Sequence, residues 1–186
     1  MGNYDLDRLM AGRVVSDYAG SCCLVVNSSK KAVMAVRQMV AERGYSGRNV
    51  IAVDGKPCVG KSSFCRELGA KIGAAVVHGD NFYGADDCAV IDVAAFLKNF
   101  KKGLIVFDET YSASKYAFDP LMRIYVRVSS EALRLDAVRK RSRLGDAVLF
   151  DRKVNADFDA EFQSPEQKFD LIFDNTRTIE SFVLNN

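Results

Sequence analysis

The chain has 186 residues, 48% hydrophobic and 27% charged, with a formal net charge of +2. That is the length of one domain with enough apolar material for a core, and the charge makes no general electrostatic case for nucleic acid. No apolar run approaches the roughly 20 residues that a membrane-spanning helix needs.

Met1 to Ala11 lacks the basic start and apolar stretch of a secretory signal. The cysteines, Cys22, Cys23, Cys58, Cys65 and Cys88, form no C-x-x-C pair and have a single His as a co-ligand. They read as reduced thiols of a cytoplasmic protein.

In chain order, Leu6 to Asp17 carries a weak helical pattern, and Cys22 to Val26 is a compact apolar run of strand type. Lys30 to Arg43 predicts a helix, with Val33, Val36 and Val40 on one face and Gly44 placed to end it. Val50 to Val53 is a strand that enters a glycine-bearing loop, and a helical pattern follows from Lys61 to Ile72 and Gly73. Ala74 to His78 reads as a buried strand ending in Gly79-Asp80. Ala89 to Phe100 has a helical apolar stripe, and Leu104 to Phe107 is a second buried strand ending in Asp108-Glu109. Ile124 to Val128 is a further strand. Ser130 caps a helix through Arg139 with Leu133 and Val138 in its core, and Leu171 to Phe173 is the last strand. Short apolar strands alternating with helices predict a single α/β domain, its parallel sheet covered on both faces.

The loop is Gly55-Lys56-Pro57-Cys58-Val59-Gly60-Lys61-Ser62-Ser63, which contains G-x-x-x-x-G-K-S between a strand and a helix. That context is what the phosphate-binding motif requires. The glycines let the backbone curl with its N–H groups inward, and the helix N-terminus favours the same anion. Lys61 is expected to reach the β- and γ-phosphates, and the Ser62 hydroxyl to ligate Mg²⁺. Cys58 is either a tolerated loop residue or a reactive thiol beside Lys61 and the helix start.

In open parallel sheets ligands sit at the carboxyl ends of the strands, where Gly55, Asp80 and Asp108 all fall. Asp80, within His78-Gly79-Asp80-Asn81-Phe82-Tyr83, can accept the proton of a substrate hydroxyl as it attacks a γ-phosphate. Its alternatives are a water-mediated metal contact and a turn cap. Phe82 and Tyr83 either line an acceptor pocket or cover the strand end as core aromatics. His78 is expected to point into or along the sheet, outside the chemistry. Asp108 suits a carboxylate that orients Mg²⁺ and its waters. Glu109 faces the other way by strand alternation, and is the second choice as base or metal ligand. Arg139-Lys140-Arg141-Ser142-Arg143, running into Leu144-Gly145-Asp146, is either a closing lid that neutralises a transferred phosphoryl group or a solvated helix end.

With these pieces the chain resembles the uridine-kinase-like branch of P-loop small-molecule kinases. The resemblance is carried by Val53-Asp54-Gly55 entering the loop, by Gly79-Asp80-Asn81-Phe82-Tyr83, and by the stretch from Tyr125-Val126-Arg127-Val128 to Arg143. A fourth piece is Pro165-Glu166-Gln167-Lys168-Phe169-Asp170-Leu171-Ile172, and together they cover most of residues 49–175. The resemblance implies a P-loop sandwich with a five-stranded parallel core, the loop strand central and the Asp80 and Asp108 strands to one side. It implies Asp80 as the base, Asp108 as the metal-assisting acid, and Arg139 and Arg143, with Arg141 as a further candidate, as the clamp on the phosphates. Residues 49–186 would form the kinase-like domain. Residues 1–48 would be an extension packed on its core as a strand and a helix. One departure stands out: Asp80 and Asp108 are 28 positions apart, which leaves no room for that family's nucleoside-gripping hairpin.

The expected activity is therefore ATP- and Mg²⁺-dependent transfer of the γ-phosphate to a hydroxyl of a small molecule, with no clear nucleic-acid binding and no membrane partner. The alternatives are an NTPase that couples hydrolysis to conformational change or assembly, and a nucleotide-binding subunit without turnover.

Overall fold

The structure, a computed structural model, describes residues 13–16, 22–44, 49–82, 93, 96, 99–100, 103–109, 119–141, 156, 159, 165 and 168–185. The elements are β1 (Arg13–Ser16), β2 (Cys22–Val26), α1 (Ser29–Arg43), β3 (Val50–Asp54), α2 (Lys61–Ile72) and β4 (Ala75–His78). A 3-10 turn (Gly79–Phe82) then leads on to β5 (Ile105–Asp108), β6 (Met122–Arg127), α3 (Glu131–Arg141), β7 (Leu171–Asp174) and α4 (Thr176–Asn185). They build one seven-stranded sheet in the order β1-β2-β7-β6-β3-β5-β4. Every pairing is parallel except that of β1 with β2.

Two expectations are corrected here. The parallel part of the sheet has six strands, not five, because β2 adds to β7 in the register Leu24↔Leu171 and Val26↔Phe173. Apolar Leu24 and Val26 continue the buried face of β7, so the added strand packs on the same core. Within Leu6 to Asp17, expected as a helix, residues Arg13–Ser16 are a strand paired antiparallel with β2. Val14 and Val15 are β-branched, and a waiting partner strand outweighs a weak helical period. The terminal helix α4 was not expected at all.

The core explains why the strands read as continuous apolar runs. All five residues of β3 are buried, as are all four of β5. On one face α1 and α2 bring Val33, Val36, Phe64 and Leu68 onto Ile51, Val53, Ile124 and Phe173. On the other face a smaller cluster joins Val50, Ile105 and Phe107 to Phe82 and Val93. β6 alternates strictly, with Met122, Ile124 and Val126 buried and Arg123, Tyr125 and Arg127 half-buried on the second face. Ser28 caps α1 by accepting from the Lys31 N–H, and Gly44 and Gly73 end α1 and α2. No helix among the described residues is long and apolar enough to cross a membrane.

Candidate functional site

The loop between β3 and α2 is shaped by three residues with positive φ: Gly55 at 151°, Cys58 at 62° and Gly60 at 89°. Glycine is required at both ends. A Cβ on Gly55 would overlap the Val126 carbonyl oxygen, and one on Gly60 would overlap the side-chain nitrogen of Asn175. Cys58 is the one non-glycine residue with positive φ among those described.

Lys61 opens α2 and turns its Nζ back to the loop, donating to Gly55 O at 2.6 Å and Lys56 O at 3.2 Å. Ser62 is half-buried in the same first turn, Ser63 is exposed and Val59 is buried. Lys56 pairs with Asp159 at 2.7 Å and lies 3.7 Å from Glu131. Two loop carbonyls accept from side chains far away in sequence: Pro57 O from Arg134 Nη1 at 3.1 Å and Val59 O from Asn175 Nδ2 at 2.9 Å.

On the other side of β3 the register sets Val53, Asp108 and His78 side by side at the carboxyl ends of β3, β5 and β4. A 2.8 Å hydrogen bond joins His78 Nδ1 to Asp108 Oδ2. An ionised carboxylate only accepts, so the shared proton belongs on Nδ1. His78, expected outside the chemistry, is thus a direct partner of the candidate metal acid. Glu109 is also buried, and its N–H donates to Val53 O at 3.2 Å. Its carboxylate occupies the space that a side chain at Gly79 would need, so it packs against the turn carrying Asp80.

Asp80 itself is exposed within that turn. Phe82 is buried in the smaller core cluster and meets Phe96 edge-on, with ring centroids 5.2 Å apart. Arg139 is exposed and pairs with Asp136 one turn back at 2.8 Å, and Arg141 is exposed too. Tyr83 and Arg143 lie outside the described residues. The arginine of α3 that reaches the loop is Arg134, which the sequence reading did not single out.

A cavity of about 350 Å³ opens beside the first half of the loop, bounded by Lys56, Val59, Tyr125, Arg127, Glu131 and Arg134 among others. Under the loop, burial pushes the Cys65 thiol well above its ordinary pKa, with the carboxylate of Asp108 adding to the effect and Lys61 opposing it. No group of three or more His, Cys, Asp or Glu among the described residues could hold a metal by itself.

No family profile matches the chain, and no curated protein matches it. Among solved structures, an uncharacterized protein from Eubacterium ventriosum ATCC 27560 is similar over 75% of this chain and 100% of its own, at 10% identity and a TM-score of 0.51. At that identity the likeness is one of fold alone. A candidate fructose transport system kinase from Silicibacter sp. TM1040 is similar over 80% of this chain and 94% of its own, at 17% identity and a TM-score of 0.46.

Proposed function

We propose that the chain is an ATP- and Mg²⁺-dependent phosphotransferase acting on a hydroxyl of a small molecule, in the manner of the uridine-kinase-like enzymes it resembles. One observation carries the reading: a G-x-x-x-x-G-K-S loop, Asp108 and Asp80 stand together at the carboxyl ends of the neighbouring parallel strands β3, β5 and β4. In a parallel sheet that end is where ligands bind.

The residues present fit the groups the reading requires. Both loop glycines occupy positions where a side chain would collide with the protein behind the loop, at Val126 O and at Asn175, so the curled shape that turns backbone N–H groups toward an anion depends on them. The oxygen donors Ser62 and Asp108 suit Mg²⁺, which keeps several waters and shares phosphate oxygens instead of sitting in an all-protein cage. Bound Mg-ATP supplies the transferable phosphoryl group and the cation that offsets its charge.

The chain's own side chains do the rest. Lys61 neutralises phosphate oxygens, while Ser62 and Asp108 hold the metal and His78 orients Asp108. Asp80, exposed and free to meet a substrate, accepts the proton of the acceptor hydroxyl. Arg139 and Arg143 neutralise developing charge, and Tyr83 borders the acceptor. Phe82 supports the turn from beneath. In this reading residues 49–186 form the catalytic unit and residues 1–48 extend its sheet.

A second reading has an observation of its own. Glu109 is a buried carboxylate next to Asp108 and is able to orient a water for simple hydrolysis.

The deciding experiment is ADP release from Mg-ATP by the wild type and Asp80→Asn, with and without a panel of nucleosides and small polyols. Acceptor-dependent release is expected, with kcat falling roughly 10²–10⁴-fold in Asp80→Asn and ATP affinity nearly intact. Release that ignores every acceptor would replace the transferase with the hydrolase.

A further inference from the structure

Arg134 and Asn175 stand on different elements, α3 and the residue after β7, yet both donate to carbonyl oxygens of the phosphate loop. Both are deeply buried, Arg134 to 1% exposure and Asn175 to 7%. We infer that they are positioning residues that suspend the loop in its phosphate-binding shape, an inference that rests on the phosphate-site reading above.

The geometry follows from the planar trans peptide, in which C=O and N–H point in opposite directions. No peptide bond among the described residues is cis. When Arg134 holds Pro57 O, the N–H of Cys58 in the same peptide is turned away from Arg134. When Asn175 holds Val59 O, the N–H of Gly60 is turned away from Asn175. Two side chains outside the loop thus fix the direction of two of its N–H donors, the groups expected to meet phosphate oxygens. The intervening residue Cys58 sits at φ 62°, a strained conformation for a residue with a Cβ. Such strain persists only where the surroundings over-determine it, and the held peptides before Cys58 and after Val59 bracket it.

Each anchor is itself fixed. Glu131 takes Arg134 Nε at 2.9 Å and Nη2 at 2.7 Å, a two-pronged clasp that leaves Nη1 aimed at the loop. The buried guanidinium is therefore paired, as a buried charge must be. Asn175 donates its backbone N–H to Arg127 O at 2.8 Å and accepts the Ile179 N–H of α4 at 3.2 Å. Its side-chain amide fills the space that glycine leaves at position 60, so the anchor and the loop interlock.

The test uses Arg134→Met, Arg134→Lys and Asn175→Leu, with circular dichroism showing which are folded at the working temperature. Calorimetry gives the Mg-ADP affinity. Iodoacetamide labelling without nucleotide, read by mass at the peptide carrying half-exposed Cys58, reports loop shape, with buried Cys65 as the internal reference. The expected result is about tenfold weaker Mg-ADP binding in Arg134→Met and in Asn175→Leu, near the worth of one buried hydrogen bond. Arg134→Lys should recover part of that loss, and Cys58 should label several-fold faster in both donor-less variants. Folded variants that bind Mg-ADP and label Cys58 as the wild type does would overturn the inference and leave the two bonds a purely structural role. A wild type that binds no Mg-ADP would instead overturn the phosphate-site reading. The labelling rates would then still decide whether Arg134 and Asn175 hold the loop.

Discussion

The loop after β3 and the turn after β4 lie at the same end of one sheet but are built differently. Around the loop, β3 is buried at every residue, and buried Arg134 and Asn175 hold its carbonyls. The Asp80 turn follows an edge strand with no fully buried residue, and Asp80 is exposed. Beneath the turn, Phe82 and the Glu109 carboxylate are its packed support. A group that must present a fixed array of dipoles to a charged ligand gains from preorganisation. A base that must meet a variable acceptor gains from access. The contrast matches the proposed division of labour between a nucleotide side and an acceptor side.

The largest effect belongs to Lys61, on the nucleotide side. Lys61→Ala should abolish transfer and weaken Mg-ATP binding, because the phosphates lose their main cation; turnover at the wild-type rate would remove the loop from the chemistry.

A smaller effect separates the two sides at Gly79. A Cβ in Gly79→Ala would overlap the Glu109 carboxylate, so either that side chain or the turn must shift. Overpacking of this kind costs about 1–3 kcal/mol, and turnover should fall while nucleotide affinity holds. Loss of Mg-ADP affinity in that variant would mean that the sides are mechanically one.

The smallest effect is a control at the opposite end of the strands. Arg43, 40% exposed in its side chain, pairs with Asp170 at 2.6 Å. Arg43 also donates to Leu121 O at 2.8 Å, so Arg43→Ala should lower stability by about 1–2 kcal/mol in a denaturant titration and leave both binding and turnover alone. A change in nucleotide affinity there would show that the loop responds to the whole sheet.

Much of this was legible in the sequence where the signal is local. The strand-loop-helix around Gly55, the bounds of α1 and α2, and the acids at the ends of β4 and β5 follow from short-range period and turn chemistry. What escaped depends on contacts across the chain. Arg134 reads as one more charge on a polar helix, and its burial depends on a carbonyl 77 positions away. The partner of Asn175 is 116 positions distant, and an Asn after a strand reads as a turn residue. His78 meets Asp108 only because β4 and β5 pair in one particular register. A five-residue strand such as β2 shows its type in the sequence but not its place in the sheet.

That place has a consequence for the order of assembly. β2 ends at Val26, but the strand it pairs with in parallel, β7, begins at Leu171. During synthesis the first parallel strand must wait for the last, a long loop closure that slows folding. Asn175 arrives just behind β7, so the phosphate loop is translated long before its second anchor exists. A nascent chain released before residue 171 should present β2 and β6 as unpaired edges, where chaperone capture or aggregation would compete with folding.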